Sequence, residues 1–204
     1  MKVATRNAFA TPILACEVDG AAVINARLAQ IILDRRAVDP GLRRSNDGGW
    51  HSAPDLLHWA AEAVRPVIAE MVEMADAATI DLEARPGERR GWRLEAWANV
   101  NGRGDANAPH SHGGTYWSGV YYVRVGEGEG GEIVFEDPRA PMIEMHAPLL
   151  RMRDAGGEGA IAIRPAEGEI LLFPAWLRHS VRPWQGEGER ISIAVNLAAP
   201  PLAR

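Results

Sequence analysis

At Trp92 the hydrophobic period of this chain changes, and few folds can accommodate the change. Before it, Val23, Ile24, Leu28, Ile31 and Ile32 recur at helical spacing. After it, Leu94, Ala96, Ala98 and Val100 alternate with Glu95, Trp97, Asn99 and Asn101, a period of two that only a strand with one buried face satisfies. The alternation returns in segments 116–125, 132–135, 160–164, 169–173 and 190–197, separated by turns rich in Gly or Pro such as 126–131 and 182–188. Many short strands after a helical stretch predict a mostly β protein with N-terminal helices, a jelly roll whose helices pack on one sheet. We expect one domain over residues 1–204, with 1–90 as a helical cap and support and 91–200 as the β core.

Within the cap, a first helix ends before Asp39-Pro40-Gly41. A second is announced by Ser52-Ala53-Pro54-Asp55, where Ser52 stands in the capping position and an early proline and an acid follow it. Leu56, Ala60, Ala63, Val67 and Met71 give this helix a buried stripe, and Pro66 inside it predicts a kink or a break, because proline removes a backbone donor. The chain is 47% hydrophobic with a net charge of -5, and its arginines are scattered among acids, so no phosphate-tracking face is expected and nucleic acid is not an expected partner. The single cysteine, Cys16, excludes an internal disulfide and a cysteine-based zinc ribbon and fits a reducing compartment. No segment has the uninterrupted apolar length of a membrane span or of a signal peptide, so a cytoplasmic location is expected.

His110 and His112 lie two apart at the expected start of a strand, which would project both imidazoles from one face. By itself such a pair is equally well two loop histidines beside Pro109 and Gly113. A third, His179, follows Gly168-Glu169-Ile170-Leu171-Leu172-Phe173-Pro174, a turn, an apolar strand and a proline. A jelly roll brings early and late strands together, so a pair and a distant single histidine can hold one metal ion and leave positions open for chemistry. Downstream, Arg190, Ser192 and Ala194 share one face of an alternating strand. A guanidinium fork with a hydroxyl beside it would hold a carboxylate in bidentate fashion; the plain alternative is a surface arginine on an edge strand.

With His110, His112, His179, Arg190 and Ser192 in this order, the sequence resembles the Fe(II)/2-oxoglutarate-dependent oxygenases, whose pattern is His-x-Asp/Glu, a distant His, then Arg-x-Ser. Segments Ser45-Asn46-Asp47-Gly48-Gly49-Trp50-His51-Ser52, Ser118-Gly119-Val120-Tyr121-Tyr122-Val123, Asp137-Pro138-Arg139 and Leu172-Phe173-Pro174 resemble a bacterial and phage subfamily, and the likeness runs from about residue 45 to 197. The resemblance implies a double-stranded β-helix, Fe(II) as metal, 2-oxoglutarate as cosubstrate and dioxygen as oxidant, with zinc or nickel as substitutes in isolated protein. It also implies that Arg190 and Ser192 hold the distal carboxylate of 2-oxoglutarate, that Tyr122 stands beside that arginine while Tyr121 points away, and that Asn99 and Asn101 contact the cosubstrate; strand-end capping is the alternative for both asparagines. The sequence departs from the pattern at His112, which stands where the family has a carboxylate. A third neutral imidazole leaves more positive charge on the metal.

On this reading the chain hydroxylates a small-molecule or peptide substrate, and an exposed sheet edge would allow a homodimer. Two other readings stay open: a cupin-type three-histidine dioxygenase that needs no 2-oxoglutarate, and a ligand-binding jelly roll that is not an enzyme. Of Trp50, Trp97, Trp117, Trp176 and Trp184, only Trp97 shares a face with Asn99 and Asn101; the others are expected as core anchors. His51, His58 and His146 are expected to be hydrogen-bonded or surface residues. Asp105 is too far upstream of His110 to be expected as a ligand.

Overall fold

The computed structural model describes residues 4, 8–82, 91–146, 149–150 and 159–200. Its elements in chain order are β1 (Leu14–Glu17), α1 (Ala21–Val38), β2 (Asn46–Asp47), β3 (Trp50–His51), α2 (Leu56–Trp59), α3 (Ala61–Ala77), β4 (Arg93–Asn101), β5 (Ala106–His110), β6 (Trp117–Arg124), β7 (Ile133–Glu136), α4 (Ala140–His146), β8 (Ala160–Ile163), β9 (Glu169–Pro174), β10 (His179–Val181) and β11 (Arg190–Ala198). The strands form two antiparallel sheets. The six-stranded sheet runs β1-β9-β6-β11-β4-β3 and the five-stranded sheet β2-β5-β10-β7-β8, a double-stranded β-helix with helices against the larger sheet.

The alternation in β4 sorts its residues as the sequence predicts. Ala96, Ala98 and Val100 join the main core with Leu28, Ile32, Val67 and Met71, all buried between the larger sheet and α1 and α3. Removing each of the larger of these side chains from water contributes about 1.5–3 kcal/mol. Gly119 lets α3 approach the sheet closely: a Cβ there would meet Met71 Sδ at 3.0 Å. The opposite face of the larger sheet points inward at the smaller one, where Tyr122, Ile133, Phe135, Leu171, Phe173 and Leu177 make a second, smaller core.

Several expectations for residues 1–90 change. This part is not only a helical cap, because β1, β2 and β3 belong to the sheets: β1 pairs with β9, β2 with β5 and β3 with β4. Ser52 does not cap the second helix; its hydroxyl accepts from Ala98 N at 3.0 Å and donates to Ala53 O, which staples the segment to β4. The break predicted at Pro66 falls instead at Ala60, between α2 and α3. Asp55 bridges to Ala96 and its carboxylate accepts from Trp59 Nε1 at 2.9 Å, so the first turn is pinned to β4 and the next helix must start afresh. Pro66 is exposed inside a continuous α3, whose other face stays buried through Val64, Val67 and Met71. Among the described residues no helix is long and apolar enough to cross a membrane.

Candidate metal centre and cosubstrate pocket

His179 opens β10, and its register partners are His110 at the end of β5 and Phe135 on β7. His112 is not in a strand: β5 stops at His110, and the loop beyond it is held by His112 N donating to Ala175 O at 2.9 Å. The sequence placed the pair at the start of a strand; the pair instead straddles the end of one, and a loop hydrogen bond rather than the pleat aims the second ring. The ligand atoms of His110, His112 and His179 all lie within 4.8 Å of one another. No other metal-binding group of this kind occurs among the described residues. Asp105 stands apart, accepting from Gly102 N at 2.7 Å in the preceding turn.

The proton positions follow from the partners. His110 Nδ1 lies 2.7 Å from Ala108 O and His179 Nδ1 2.9 Å from Leu177 O; a carbonyl only accepts, so both Nδ1 atoms carry hydrogen and both Nε2 lone pairs face the cluster. His112 Nε2 and His179 Nε2 stand 3.4 Å apart. Burial, with the neighbouring imidazoles adding to it, lowers the His112 pKa to about 3, and burial lowers that of His179 to about 4. His110 is lowered too, again chiefly by burial. At neutral pH the cluster is three uncharged rings with converging lone pairs, a donor set that repels itself until a cation sits among them. The residues therefore fit a metal ion.

The same cavity, open to solvent, is lined by these histidines and by Trp97, Asn99, Tyr122, Arg190 and Ser192. Register explains the gathering: Ser192 pairs with Asn99 on one side and Tyr122 on the other, and Arg190 pairs with Asn101. Arg190 is only 2% exposed and its Nε has no hydrogen-bond partner. Its guanidinium lies 5.2 Å from the Tyr122 ring centre. Burial pulls its pKa below the ordinary arginine value, while the Tyr122 hydroxyl and the charge of Glu132 oppose that fall. Tyr122 is pushed up to about 12 by burial, so it stays protonated. Gly131, at φ 74°, leaves the space Arg190 needs, since a Cβ there would sit 3.2 Å from Arg190 Cδ. A buried cation with an unpaired donor at a cavity wall calls for an anion. Tyr121 points the other way, donating to Asn25 Oδ1 at 2.6 Å.

Asn99 lines the cavity, whereas Asn101 does not; it is buried beside Arg190 with Oδ1 unpaired. Of the tryptophans, Trp97 lines the cavity, Trp50, Trp117 and Trp184 are buried and Trp176 is 57% exposed. His58 and His146 are exposed. His51 is hydrogen-bonded, as expected, but it also lines the cavity, a place sequence spacing did not assign to it. The signal available was the alternation of Trp50 and His51, too short at two residues to read as a strand.

Residues 95–196, half of the chain, match the family model described as "Putative 2OG-Fe(II) oxygenase". The chain belongs to the 2OG-Fe(II) oxygenases. It is therefore an Fe(II)- and 2-oxoglutarate-dependent enzyme, and of the three readings left open by the sequence the cupin-type dioxygenase and the non-enzymatic jelly roll fall away. A search of curated proteins found no match. Solved structures share the fold of this 2OG-Fe(II) oxygenase. A prolyl-4-hydroxylase from Pseudomonas putida aligns with TM-score 0.65 and 17% identity over 94% of each chain. A prolyl hydroxylase from Trichoplax adhaerens, in complex with a hypoxia inducible factor peptide fragment, gives 0.63 and 12% over 92% of this chain and 83% of its own. HygX from Streptomyces hygroscopicus, with nickel and 2-oxoglutarate bound, gives 0.59 and 17% over 92% and 83%.

Proposed function

We propose that His110, His112 and His179 hold the Fe(II), that Arg190 with Ser192 and Tyr122 holds the distal carboxylate of 2-oxoglutarate, and that the enzyme hydroxylates an unactivated C-H bond of a small-molecule or peptide substrate. The observation that carries this reading is the buried Arg190, its Nε unpaired, on the wall of the cavity that also contains the three histidines. Iron with 2-oxoglutarate and dioxygen supplies the oxidising power, 2-oxoglutarate being decarboxylated to succinate.

The chain's own residues do the rest. The two Nδ1-H anchors fix the His110 and His179 rings so that Nε2 faces the cluster without a search. Arg190, itself only 2% exposed, meets a carboxylate from a buried wall, where a charge-assisted fork is stronger than in bulk water. The protonated Tyr122 hydroxyl and Ser192 donate to the same carboxylate. Asn99, on the cavity wall, touches the cosubstrate, while Asn101 lies off that wall beside Arg190.

The test is a tryptophan-fluorescence titration of metal-loaded protein with 2-oxoglutarate, paired with a succinate-release assay across candidate substrates. Arg190→Ala should weaken 2-oxoglutarate binding by roughly 10- to 100-fold, the loss of one or two hydrogen bonds to a charged group. Absence of succinate, coupled or uncoupled, with iron and ascorbate present would overturn the reading.

A further inference from the structure

His51 forms β3 with Trp50 at the edge of the larger sheet, and it sits opposite Asn99 in the register. That places it in one row with Asn99, Ser192 and Tyr122 across the four neighbouring strands β3, β4, β11 and β6. Its Nδ1 is 2.7 Å from Ser52 O, so this nitrogen carries the hydrogen and Nε2 is left as a bare lone pair. Among the described residues nothing pairs with Nε2. The ring stacks on Trp97 with centroids 5.5 Å apart and planes 11° from parallel. Trp97 in turn lies 5.8 Å from the ring of His112. A continuous aromatic wall therefore runs from the metal cluster to an acceptor that the protein leaves unused.

The charges lining the cavity narrow the choice of ligand. Among the described residues, Arg190 is the one with a permanent charge on the wall, which no Asp, Glu or Lys lines. Among the described residues, no side chain of the cavity wall would neutralise a cationic substrate. The imidazole itself stays neutral, since burial lowers its pKa from the ordinary value.

We propose that His51 is a substrate-positioning residue: its Nε2 accepts a hydrogen bond from a neutral hydroxyl or amide N-H of a substrate that lies along Trp97, between His51 and the metal. The assignment rests on the oxygenase reading above, because it takes the space beside the three histidines as the place of reaction. It extends that reading to the class of substrate, one that carries an uncharged donor.

Asparagine and glutamine separate the two nitrogens of the ring. His51→Asn keeps a donor where Nδ1 stands and so keeps the Ser52 anchor, but has nothing at the Nε2 position. His51→Gln does the reverse. The full chain, loaded with Ni(II) and 2-oxoglutarate, is titrated by ligand-observed NMR with neutral alcohols and primary amides, with their O-methyl and N,N-dimethyl counterparts, and with alkylammonium ions. Donors should bind about 5-fold or more tightly than their methylated counterparts, within the range of one hydrogen bond. The preference should vanish in His51→Asn and persist in His51→Gln. A structural prop for Trp97 would give the opposite pattern or none.

No preference in the wild type, a preference that survives His51→Asn, one lost in His51→Gln, or tightest binding by ammonium ions overturns the proposal. If a variant does not fold, the imidazole nitrogen NMR shift of wild-type His51 on addition of the best alcohol decides, since Nε2 must move if it accepts. Protein that takes up metal and 2-oxoglutarate but fails these tests overturns the His51 assignment alone; protein that takes up neither overturns the oxygenase reading with it.

Discussion

His112 stands where the family pattern has a carboxylate, and its surroundings show how a neutral ring is kept there. Burial and the adjacent rings hold it near pKa 3, and His179 near 4, both far below the ordinary 6.5. Between those values the unfolded chain binds protons that the folded chain does not, so stability rises with pH through this window and is lost as pH falls below about 6.5. Metal-free protein should melt at a lower temperature at pH 5 than at pH 7.5, and His112→Gln should flatten that slope in a thermal-denaturation series. His179→Ala should leave less than about one-tenth of the wild-type metal content by elemental analysis, because two imidazoles do not make a tight site. Arg190→Lys should recover only part of what Arg190→Ala loses in the 2-oxoglutarate titration, since an ammonium cannot present a planar fork.

β11 and α3 show what single elements contribute to the core and the site. β11 brings Arg190 and Ser192 to the cavity on one face while Ile191, Ile193, Val195 and Leu197 fill the main core on the other, all at most 1% exposed. Ile193→Ala should cost about 2–5 kcal/mol in chemical denaturation, and because the strand is one rigid unit it should also weaken 2-oxoglutarate binding. In α3, Pro66 removes one backbone hydrogen bond on an exposed face and packs nothing in return. Pro66→Ala should stabilise the protein by about 2 kcal/mol, an interior-proline cost of about 3 kcal/mol less the entropy the unfolded chain regains. A denaturation midpoint that fell instead would mean that the proline fixes the helix in a way its exposure does not reveal.

At the scale of the molecule, the site is a product of two sheets facing each other. The row Tyr122, Ser192 and Asn99, with Arg190 beside it, lies on the larger sheet, while His110 and His179 lie on the smaller. The loops that join the sheets, above all Ser111 to His112 with its hydrogen bond to Ala175, set the gap between them. β2 and β3 pair with different sheets although only two glycines separate them, and so bring His51 to the cavity wall.

Local pattern was enough for the period change at Trp92, the faces of β4 and β11, and His110, His112, His179, Arg190 and Ser192; Tyr122 came from the family resemblance, and the fold brings all six to one cavity. These were legible because alternation is local: a strand's inner and outer faces are written in neighbouring residues, and a histidine or arginine on an apolar background stands out. Tertiary structure alone decided the rest. Strands of two to five residues, such as β2, β3, β5 and β10, have too few residues to show a period and exist because a neighbouring strand supplies their hydrogen bonds. The break at Ala60 in place of Pro66 and the hydroxyl of Ser52 tied to β4 depend on partners some forty residues away in sequence. His51 belongs to the same class: only the register between β3 and β4 turns it from one more hydrogen-bonded histidine into a lone pair facing the cavity.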